Sequence, residues 1–349
     1  MLRFFNLSYT TWSATVASPD TPRTISYWLR DTKLFEEAYR IVVITPERWW
    51  WSQQIFLACF GWGIWVGYQG HGGKPSRGGK GRNWGVLMAY MVLAQLVSLS
   101  VAVNLYFVDV LAHRGAEASS LPSPPVSVDQ KKKGGKESVA MESGLTKALL
   151  GFYLTLCFLP TSVLSTLTHT PPTSPLNKLF FPALLLPHVA LFIPIFCTYP
   201  VSPRFTRILY TCSAFGSVAC HAASTLAVVE RVTVFLAKEK TLALGTSGAQ
   251  PDLYEILKTT IEWLRETLLN THPAVSSVSW DVCWFVVSVA LWAGIEGGAG
   301  GVWVGGGGDK VLEREGACFM KKVMRVVVAV LMMAVGGAGA GALVFAADL

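Results

Sequence analysis

The chain has 349 residues, of which 52% are hydrophobic and only 15% are charged. Soluble globular chains carry about 25% charged residues, and the apolar residues here collect in long runs, which argues against soluble domains and favours a polytopic membrane protein. The net charge of +7 is spread over many segments between those runs. The sequence contains no RNA- or DNA-binding motif, so we expect no nucleic-acid partner.

The cysteine pattern and the motif content predict no metal and no cofactor. The chain has seven cysteines and no CxxC pair, which is neither a disulfide framework nor a zinc site. It also has no HExxH, GxSxG or DDxxD motif. The missing DDxxD argues against enzymes that ionise a prenyl diphosphate through magnesium.

The sequence predicts an all-α fold, a polytopic transmembrane helical bundle. Residues 1–44 form a polar, partly amphipathic head, and residues 45–349 form the bundle. Each predicted span is close to the roughly 20 residues that cross a bilayer. Seven spans are predicted, at 46–68, 84–107, 147–168, 179–199, 207–229, 280–304 and 323–346.

Two of these spans carry special signals. The first has Thr45 as a capping residue and Pro46 at the first helical position, and Trp49, Trp50 and Trp51 follow as an interfacial aromatic belt. The fourth span contains three prolines, Pro182, Pro187 and Pro194, which should break it and free backbone groups.

The segments between the spans give three further expectations. Residues 115–144 are rich in Pro, Ser, Lys and Gly and are predicted to be disordered. Residues 251–270 show helical periodicity and predict an amphipathic interfacial helix, either a packed connector or a lid over a lipid-accessible cavity. Gly63 and Gly67 form a small-xxx-small pair, which predicts close helix packing.

Ionisable groups at membrane depth are the candidates for chemistry, because burying a charge there is costly. His188 and His221 lie near the middle of spans four and five, either as neutral core histidines or as functional groups. Asp281, between Trp280 and Trp284, is either a proton donor among aromatic rings or an acid at a helix N-terminus. Glu230 lies at a span end, where a solvated interface also explains it.

Three segments resemble fungal multi-pass membrane proteins of terpenoid biosynthesis clusters of the indole-diterpene and meroterpenoid type. These are residues 45–54 (TPERWWWSQQ), 89–97 (AYMVLAQLV) and 272–281 (HPAVSSVSWD). In such clusters, membrane terpene cyclases protonate an epoxide or an olefin with a carboxylic acid, without metal or nucleotide. The Gly- and Lys-rich stretches at 72–82 and 129–136 depart from this resemblance.

The resemblance implies a membrane-embedded terpene cyclase, or an accessory to one, in the endoplasmic reticulum membrane. The expected partners are a lipid-soluble prenylated substrate, membrane lipid and other pathway enzymes. The candidate catalytic acids are, in order, Asp281, Glu230 and Glu47. Five residues are candidates for substrate binding: Trp51, Gln54, Trp284, His188 and His221.

A non-enzymatic transporter or scaffold is the alternative function. Convergence of Asp281, Glu230 and Glu47 on one apolar cavity would favour the cyclase. A water-filled passage lined by His188 and His221 would favour transport.

Overall fold

A computed structural model shows that the chain folds into packed helices. The all-α class is confirmed, because every regular element among the described residues is helical. The structure describes residues 2–15, 22–70, 83–119, 144–168, 174–197, 203–244 and 250–299. The seventh predicted span, 323–346, lies outside these ranges, as does most of the 115–144 segment.

The N-terminal head consists of three short helices, α1 (Leu2–Thr15), α2 (Ile25–Asp31) and α3 (Leu34–Val43). Thr24 caps α2 by accepting a hydrogen bond from the Tyr27 amide. The head packs against the bundle mainly through α3, which contacts the helices that begin at Pro46 and Pro273.

Helix α4 (Pro46–Gly70) is the central helix of the bundle. It begins at Pro46, as the sequence predicts, and its residues 56–67 are buried on every side. A Cβ on Gly67 would lie 2.6 Å from the Pro194 carbonyl oxygen, and one on Gly63 would lie 2.9 Å from the Tyr153 hydroxyl. The expectation of close packing at this glycine pair is therefore confirmed.

The second predicted span, 84–107, is not one continuous helix. It divides into α5 (Trp84–Leu96) and α6 (Leu99–Ser119), separated by Val97 and Ser98. The rings of Tyr90 and Tyr106, one from each helix, lie 5.4 Å apart, so the two helices fold back on each other as a hairpin. Helix α5 is only about 20 Å long, too short to cross a bilayer. Residues 115–119, predicted to be disordered, are the last turn of α6.

The third predicted span forms one continuous helix, whereas the fourth is interrupted. Helix α7 (Gly144–Thr168) covers the third predicted span. The fourth predicted span divides into a 3₁₀ helix (Pro175–Leu179), α8 (Phe180–Ala190) and α9 (Ile193–Phe196). The break falls after Pro187 and before Pro194, so the predicted interruption by proline is confirmed at these two residues.

The last described helices are α10 (Pro203–Leu244), α11 (Leu253–Leu269) and α12 (Pro273–Ala299). Helix α10 has 42 residues and is about 63 Å long, so it extends well beyond the predicted 207–229 span. Helix α11 confirms the predicted amphipathic helix and begins with a capping box of Asp252 and Glu255.

Two described helices are long and apolar enough to cross a membrane, within Arg207–Ala243 and Pro273–Trp292. Seven spans are therefore not confirmed. The physical reasons are specific to each segment. The second and fourth predicted spans are interrupted, and the seventh lies outside the described residues.

Candidate functional site at the tip of a helical hairpin

The tip of the α5–α6 hairpin is bound to Asp281 of α12. One carboxylate oxygen, Oδ1, accepts hydrogen bonds from the Ser98 hydroxyl at 2.5 Å and from the Ser100 amide at 2.9 Å. The other oxygen, Oδ2, accepts from the Leu99 amide at 3.0 Å. Asp281 therefore caps the N-terminus of α6 from a neighbouring helix, where the first amides have no partner within α6.

This arrangement leaves one position on the carboxyl group for a proton. Each carboxylate oxygen has two lone pairs, and Oδ1 uses both. Within the described part of the chain, Oδ2 accepts one hydrogen bond, which leaves its second lone pair for a proton. The two amide donors belong to the first turn of α6, so they fix the orientation of the carboxyl group.

Asp281 lies at the edge of the bundle rather than deep within it. The residue is half-buried, whereas Trp280 and Trp284, its neighbours along α12, are 45% and 57% exposed. On the hairpin side, Leu96 and Val97, just before the bonded Ser98, also face outward. The half-buried carboxyl group thus lies at the edge of the bundle, near exposed apolar and aromatic side chains of α12 and the hairpin.

The opposite side of the hairpin tip is bound to His188 of α8. The His188 Nδ1 atom forms a hydrogen bond with the Gln95 side-chain oxygen. The imidazole ring packs between Phe56 of α4 and Tyr39 of α3, with centroid distances of 5.2 and 6.0 Å. Burial raises the pKa of the Tyr39 phenol. The tip is therefore held on one side by α12 and on the other by α8.

Cys59 of α4 lies within electrostatic range of both sides of this site. Its buried thiol interacts electrostatically with Asp281 and with Tyr39. The site thus combines a carboxyl group, a phenol, an imidazole and a thiol around the hairpin tip. Only Asp281 and His188 of this set were predicted as site residues from the sequence.

His221 belongs to a different polar cluster, between α4 and α10. The Gln53 amide nitrogen donates to His221 Nδ1 at 3.0 Å and to the Ser224 hydroxyl at 2.9 Å. The Trp50 ring lies 5.1 Å from the His221 ring, and its indole N–H donates to the Thr225 hydroxyl. The two predicted histidines therefore do not share a contact, and each is paired with its own glutamine.

The structure does not bring the three predicted acids together. Glu47 accepts a hydrogen bond from Arg231 at 3.1 Å, at the start of α4. Glu230 is exposed on α10, next to Arg231. Cys59 is the residue of α4 that lies near Asp281. Glu47 precedes Cys59 by twelve residues in the same helix, a distance of about 18 Å along the helix axis. Asp281 is thus the one predicted acid at the hairpin tip.

The remaining predicted binding residues lie at three places. Trp51 donates its indole N–H to the Leu264 carbonyl at 3.1 Å and so ties α11 to α4. Gln54 is buried and donates to the Trp50 carbonyl of its own helix. Trp284 faces outward beside Asp281. Trp284 is therefore the predicted aromatic residue next to the carboxyl group.

Sequence reasoning missed the residues that build the hairpin tip, Gln95, Ser98 and Ser100, and the contact of Tyr39 with His188. One signal for the tip was available. Ser98 is a preferred helix N-cap residue, and it stands in the middle of an apolar run together with Gln95. No pattern in the sequence indicates that a carboxylate 181 residues away from Ser100 completes the cap.

Two observations bear on other sites. Among the side chains that the structure describes, no group of three or more His, Cys, Asp or Glu residues could hold a metal ion. A shallow groove of about 520 Å³ runs along the outer face of α5, lined by residues that include Asn83, Tyr90 and Leu93 but no carboxylate. The groove therefore offers no acid for a proton transfer.

Comparison with known proteins gives no match: no family model, no curated protein and no solved structure is significantly similar to the chain. The resemblance of residues 45–54, 89–97 and 272–281 to fungal terpenoid-cluster membrane proteins therefore stays a prediction.

Proposed function

We propose that the chain is a membrane-embedded terpene cyclase of the type found in fungal terpenoid clusters, with Asp281 as the proton donor. One observation carries the proposal: a single half-buried carboxyl group lies beside the exposed aromatic residues of α12, with both oxygens held in place by hydrogen-bond donors of the hairpin tip. A prenylated substrate dissolved in lipid could reach this group sideways, without crossing water.

The outer surface of α12 supports insertion into a membrane. Five large apolar residues follow one another at helical spacing and face outward: Trp280, Trp284, Val287, Leu291 and Ile295. This stripe is about 22 Å long, most of the thickness of a bilayer core. Soluble monomers rarely expose a continuous apolar surface of that extent. Lipid is the solvent that such a surface fits.

The exposed apolar side of α11 is evidence for a membrane surface near the start of α12. Its buried side faces the bundle through Thr260 and Thr267, while Leu253, Leu257 and Ile261 form a stripe that is 70%, 50% and 64% exposed. A helix with this pattern lies in the plane of the interface. Asp281 is eight residues into α12, about 12 Å below such a plane, within the hydrocarbon region.

The proposed reaction begins with a proton transfer from Asp281 to the substrate. The proton on Asp281 Oδ2 moves to the oxygen of a substrate epoxide, one C–O bond breaks, and the oxygen becomes a hydroxyl group. The resulting carbocation is attacked by the double bonds of the prenyl chain, which closes rings. A base removes a proton from the last cation, or water adds to it, and the carboxylate takes up a proton again.

The experiment is expression of the chain in a host that lacks related pathways, with a prenylated, epoxidised precursor and analysis of products from washed membranes. We expect wild-type membranes to cyclise the precursor. Asp281→Asn should lower turnover by about 10²–10⁴-fold, because the amide cannot donate the proton with comparable driving force. Unchanged precursor from well-expressed wild-type protein would contradict the enzyme function.

Asp252→Asn is the matched control, since it makes the same substitution at another helix N-terminus, that of α11. Asparagine caps helices about as well as aspartate, so this variant should keep wild-type turnover. Full turnover by Asp281→Asn, combined with its loss in Glu230→Gln or Glu47→Gln, would assign the donor to that acid instead.

A transporter is the second candidate, and one observation favours it. Two interrupted segments, α5–α6 and α8–α9, are joined through Gln95 and His188 in the interior of the bundle. Interrupted helices that meet at mid-depth are typical of secondary transporters. Movement of unmodified precursor across sealed vesicles, dependent on His188 and without cyclised product, would support transport over catalysis.

A further inference from the structure

We infer that the α5–α6 hairpin is a re-entrant membrane element, which enters and leaves the bilayer on the same side and packs its outer face against lipid acyl chains. The inference rests on the proposed function only for the presence of the membrane. A single crossing at 84–107, as the sequence predicts, would instead place Trp84 and Ser119 on opposite sides. The two arrangements therefore differ in the side on which these residues lie.

The contacts of α6 show that it runs in the same direction as α12. Near the start of α6, the Ser100 amide bonds to Asp281 of α12. Further along both helices, the Phe107 ring stacks on the Trp292 ring at a centroid distance of 4.2 Å. Trp65, late in α4, also contacts Phe107, at 5.1 Å. The last residues of α4, α6 and α12 are therefore at one end of the bundle.

The opposite end of the bundle carries α11 and the first residues of α4 and α12. Trp51, early in α4, bonds to the Leu264 carbonyl of α11, and α11 directly precedes α12. Helix α5 runs back along α6, with the rings of Tyr90 and Tyr106 in contact. The hairpin tip therefore points toward the end that carries α11, and both ends of the hairpin lie at the other end of the bundle.

The outer face of the hairpin is apolar on both helices. Its large exposed residues recur every three to six positions along each helix: Val86, Val92 and Leu96 on α5, and Val101, Leu105 and Val108 on α6. Asn104, on the same face, donates its side-chain amide to the Ser100 carbonyl of its own helix. Soluble monomers rarely expose two adjacent apolar helix faces, so acyl chains are the partner that this surface fits.

The backbone at the tip is fully paired by the protein. Irregular backbone at membrane depth is tolerated only where protein or water satisfies its polar groups. The amides of Val97 and Ser98 bond to a carbonyl of α5, and those of Leu99 and Ser100 bond to Asp281. The next two amides of α6 bond to the hydroxyl and the carbonyl of Ser98. The tip can therefore lie in the hydrocarbon region without an unpaired amide.

Two separate distances place the tip at the same depth. Trp84 is exposed at the start of α5 and fits the headgroup region, where Trp is enriched. Ser98 follows about 20 Å further along the hairpin. From the opposite surface, Asp281, which bonds to Ser98, lies about 12 Å below the plane proposed for α11. The two depths together match the hydrocarbon core of about 30 Å. The hairpin thus passes the midplane and stops short of the opposite surface.

The test is cysteine labelling of the full-length protein in sealed vesicles of one orientation, with a membrane-impermeant maleimide. Asn83→Cys, just before α5, and Ser119→Cys, at the end of α6, should be labelled from the same side. Thr271→Cys, exposed between α11 and α12, should be labelled only from the other side. The wild-type protein gives the background from its native cysteines, and solubilised protein gives the full signal.

Opposite sides for Asn83→Cys and Ser119→Cys would overturn the inference and restore a crossing span. A spin label at Val97→Cys, an exposed position at the tip, is the second measurement. Molecular oxygen, which dissolves in lipid, should relax this label, whereas a water-soluble nickel chelate should not. Relaxation by the chelate would also overturn the inference, because it would place the tip in water.

These measurements need no turnover, so they fail or succeed independently of the cyclase experiment. Labelling of all three cysteine variants in intact vesicles would show that the chain does not cross the membrane, and would remove both the hairpin and the membrane-embedded cyclase. Same-side labelling without cyclisation would leave the hairpin in place and remove the enzyme function. Cyclisation with opposite-side labelling would do the reverse.

Discussion

The two buried histidines show how continuous and interrupted helices use polar groups differently. His221 lies between α4 and α10, two long unbroken helices, and its Nδ1 atom, Ser224 and Thr225 are all bonded to α4 across that interface. In this cluster only Gln53 Oε1 lacks a partner among the described residues. His188 lies where the α5–α6 and α8–α9 segments meet, and two buried atoms there, His188 Nε2 and Gln95 Nε2, have no hydrogen-bond partner among the described residues.

The difference follows from the backbone. An unbroken helix satisfies its own amides, so its side chains are free to pair with each other and fix the packing of two helices. An interrupted helix leaves amides without partners where it breaks, and side chains such as Asp281 satisfy them from a neighbouring helix. Interrupted segments therefore concentrate polar atoms where they meet other helices.

The largest expected effect is on the stability of the hairpin tip. Asp281→Ala removes all three acceptor bonds to Ser98, Leu99 and Ser100 and leaves the N-terminus of α6 without its external cap. We expect a loss of about 2–4 kcal/mol, measured as a lower Tm in detergent. Asp281→Asn keeps an oxygen and the side-chain shape, so it should lose clearly less. Equal losses in the two variants would show that the hydrogen bonds do not stabilise the tip.

The sequence predicted the continuous elements well, and the reasons are local. Pro46 marks the start of α4, and the periodic leucines of 251–270 mark α11. The predicted cap by Thr45 is wrong, because its buried hydroxyl has no hydrogen-bond partner among the described residues. The proline positions 187 and 194 indicate where the fourth predicted span breaks. Each of these signals acts on residues within a few positions of itself.

The hairpin and its site could not be predicted in the same way, because their cause is distant in the sequence. The run 84–107 is apolar throughout, and whether Ser98 ends a helix or continues it depends on the acceptor that Asp281 supplies from α12. Asp281 was predicted as a site residue from its aromatic neighbours alone. Its partners on α6 depend on tertiary packing, which periodicity does not encode.

The second prediction tests the packing of the interrupted α8–α9 segment on α4. In Gly67→Ala the new methyl group would lie 2.6 Å from the Pro194 carbonyl oxygen, a backbone atom that can move only with α9. We expect a loss of about 1–3 kcal/mol by thermal unfolding. Gly151→Ala is the matched control, since nothing lies within 4 Å of its Cβ. That variant should gain about 0.5–1 kcal/mol from helix propensity.

The third prediction tests the cluster between the continuous helices. Gln53→Leu removes the donor to His221 Nδ1 but also removes Gln53 Oε1, which is buried without a partner among the described residues. The two effects partly cancel, so we expect a loss of about 1 kcal/mol in thermal unfolding. An unchanged Tm would show that the hydrogen bonds of Gln53 do not stabilise the packing of α4 on α10.

The smallest effect is a pH dependence at the start of α12, outside the membrane-spanning segments. Burial lowers the pKa of His272, the positive charge of Arg48 lowers it further, and Glu37 partly opposes them. The folded protein therefore binds a proton there less readily than the unfolded chain. This contribution to stability is complete above the unfolded pKa of about 6.5 and is lost as the pH falls below it.

The measurement compares the Tm of the wild-type protein and His272→Asn at pH 7.5 and at pH 5.5. Neutral His272 accepts a hydrogen bond from the Ala274 amide at 3.2 Å, and asparagine can cap the helix in its place without titrating. The wild-type Tm should fall more on acidification than the Tm of the variant. An equal fall would assign the acid sensitivity to other groups. In that case, neutral His272 would contribute nothing specific to the junction of α11 and α12.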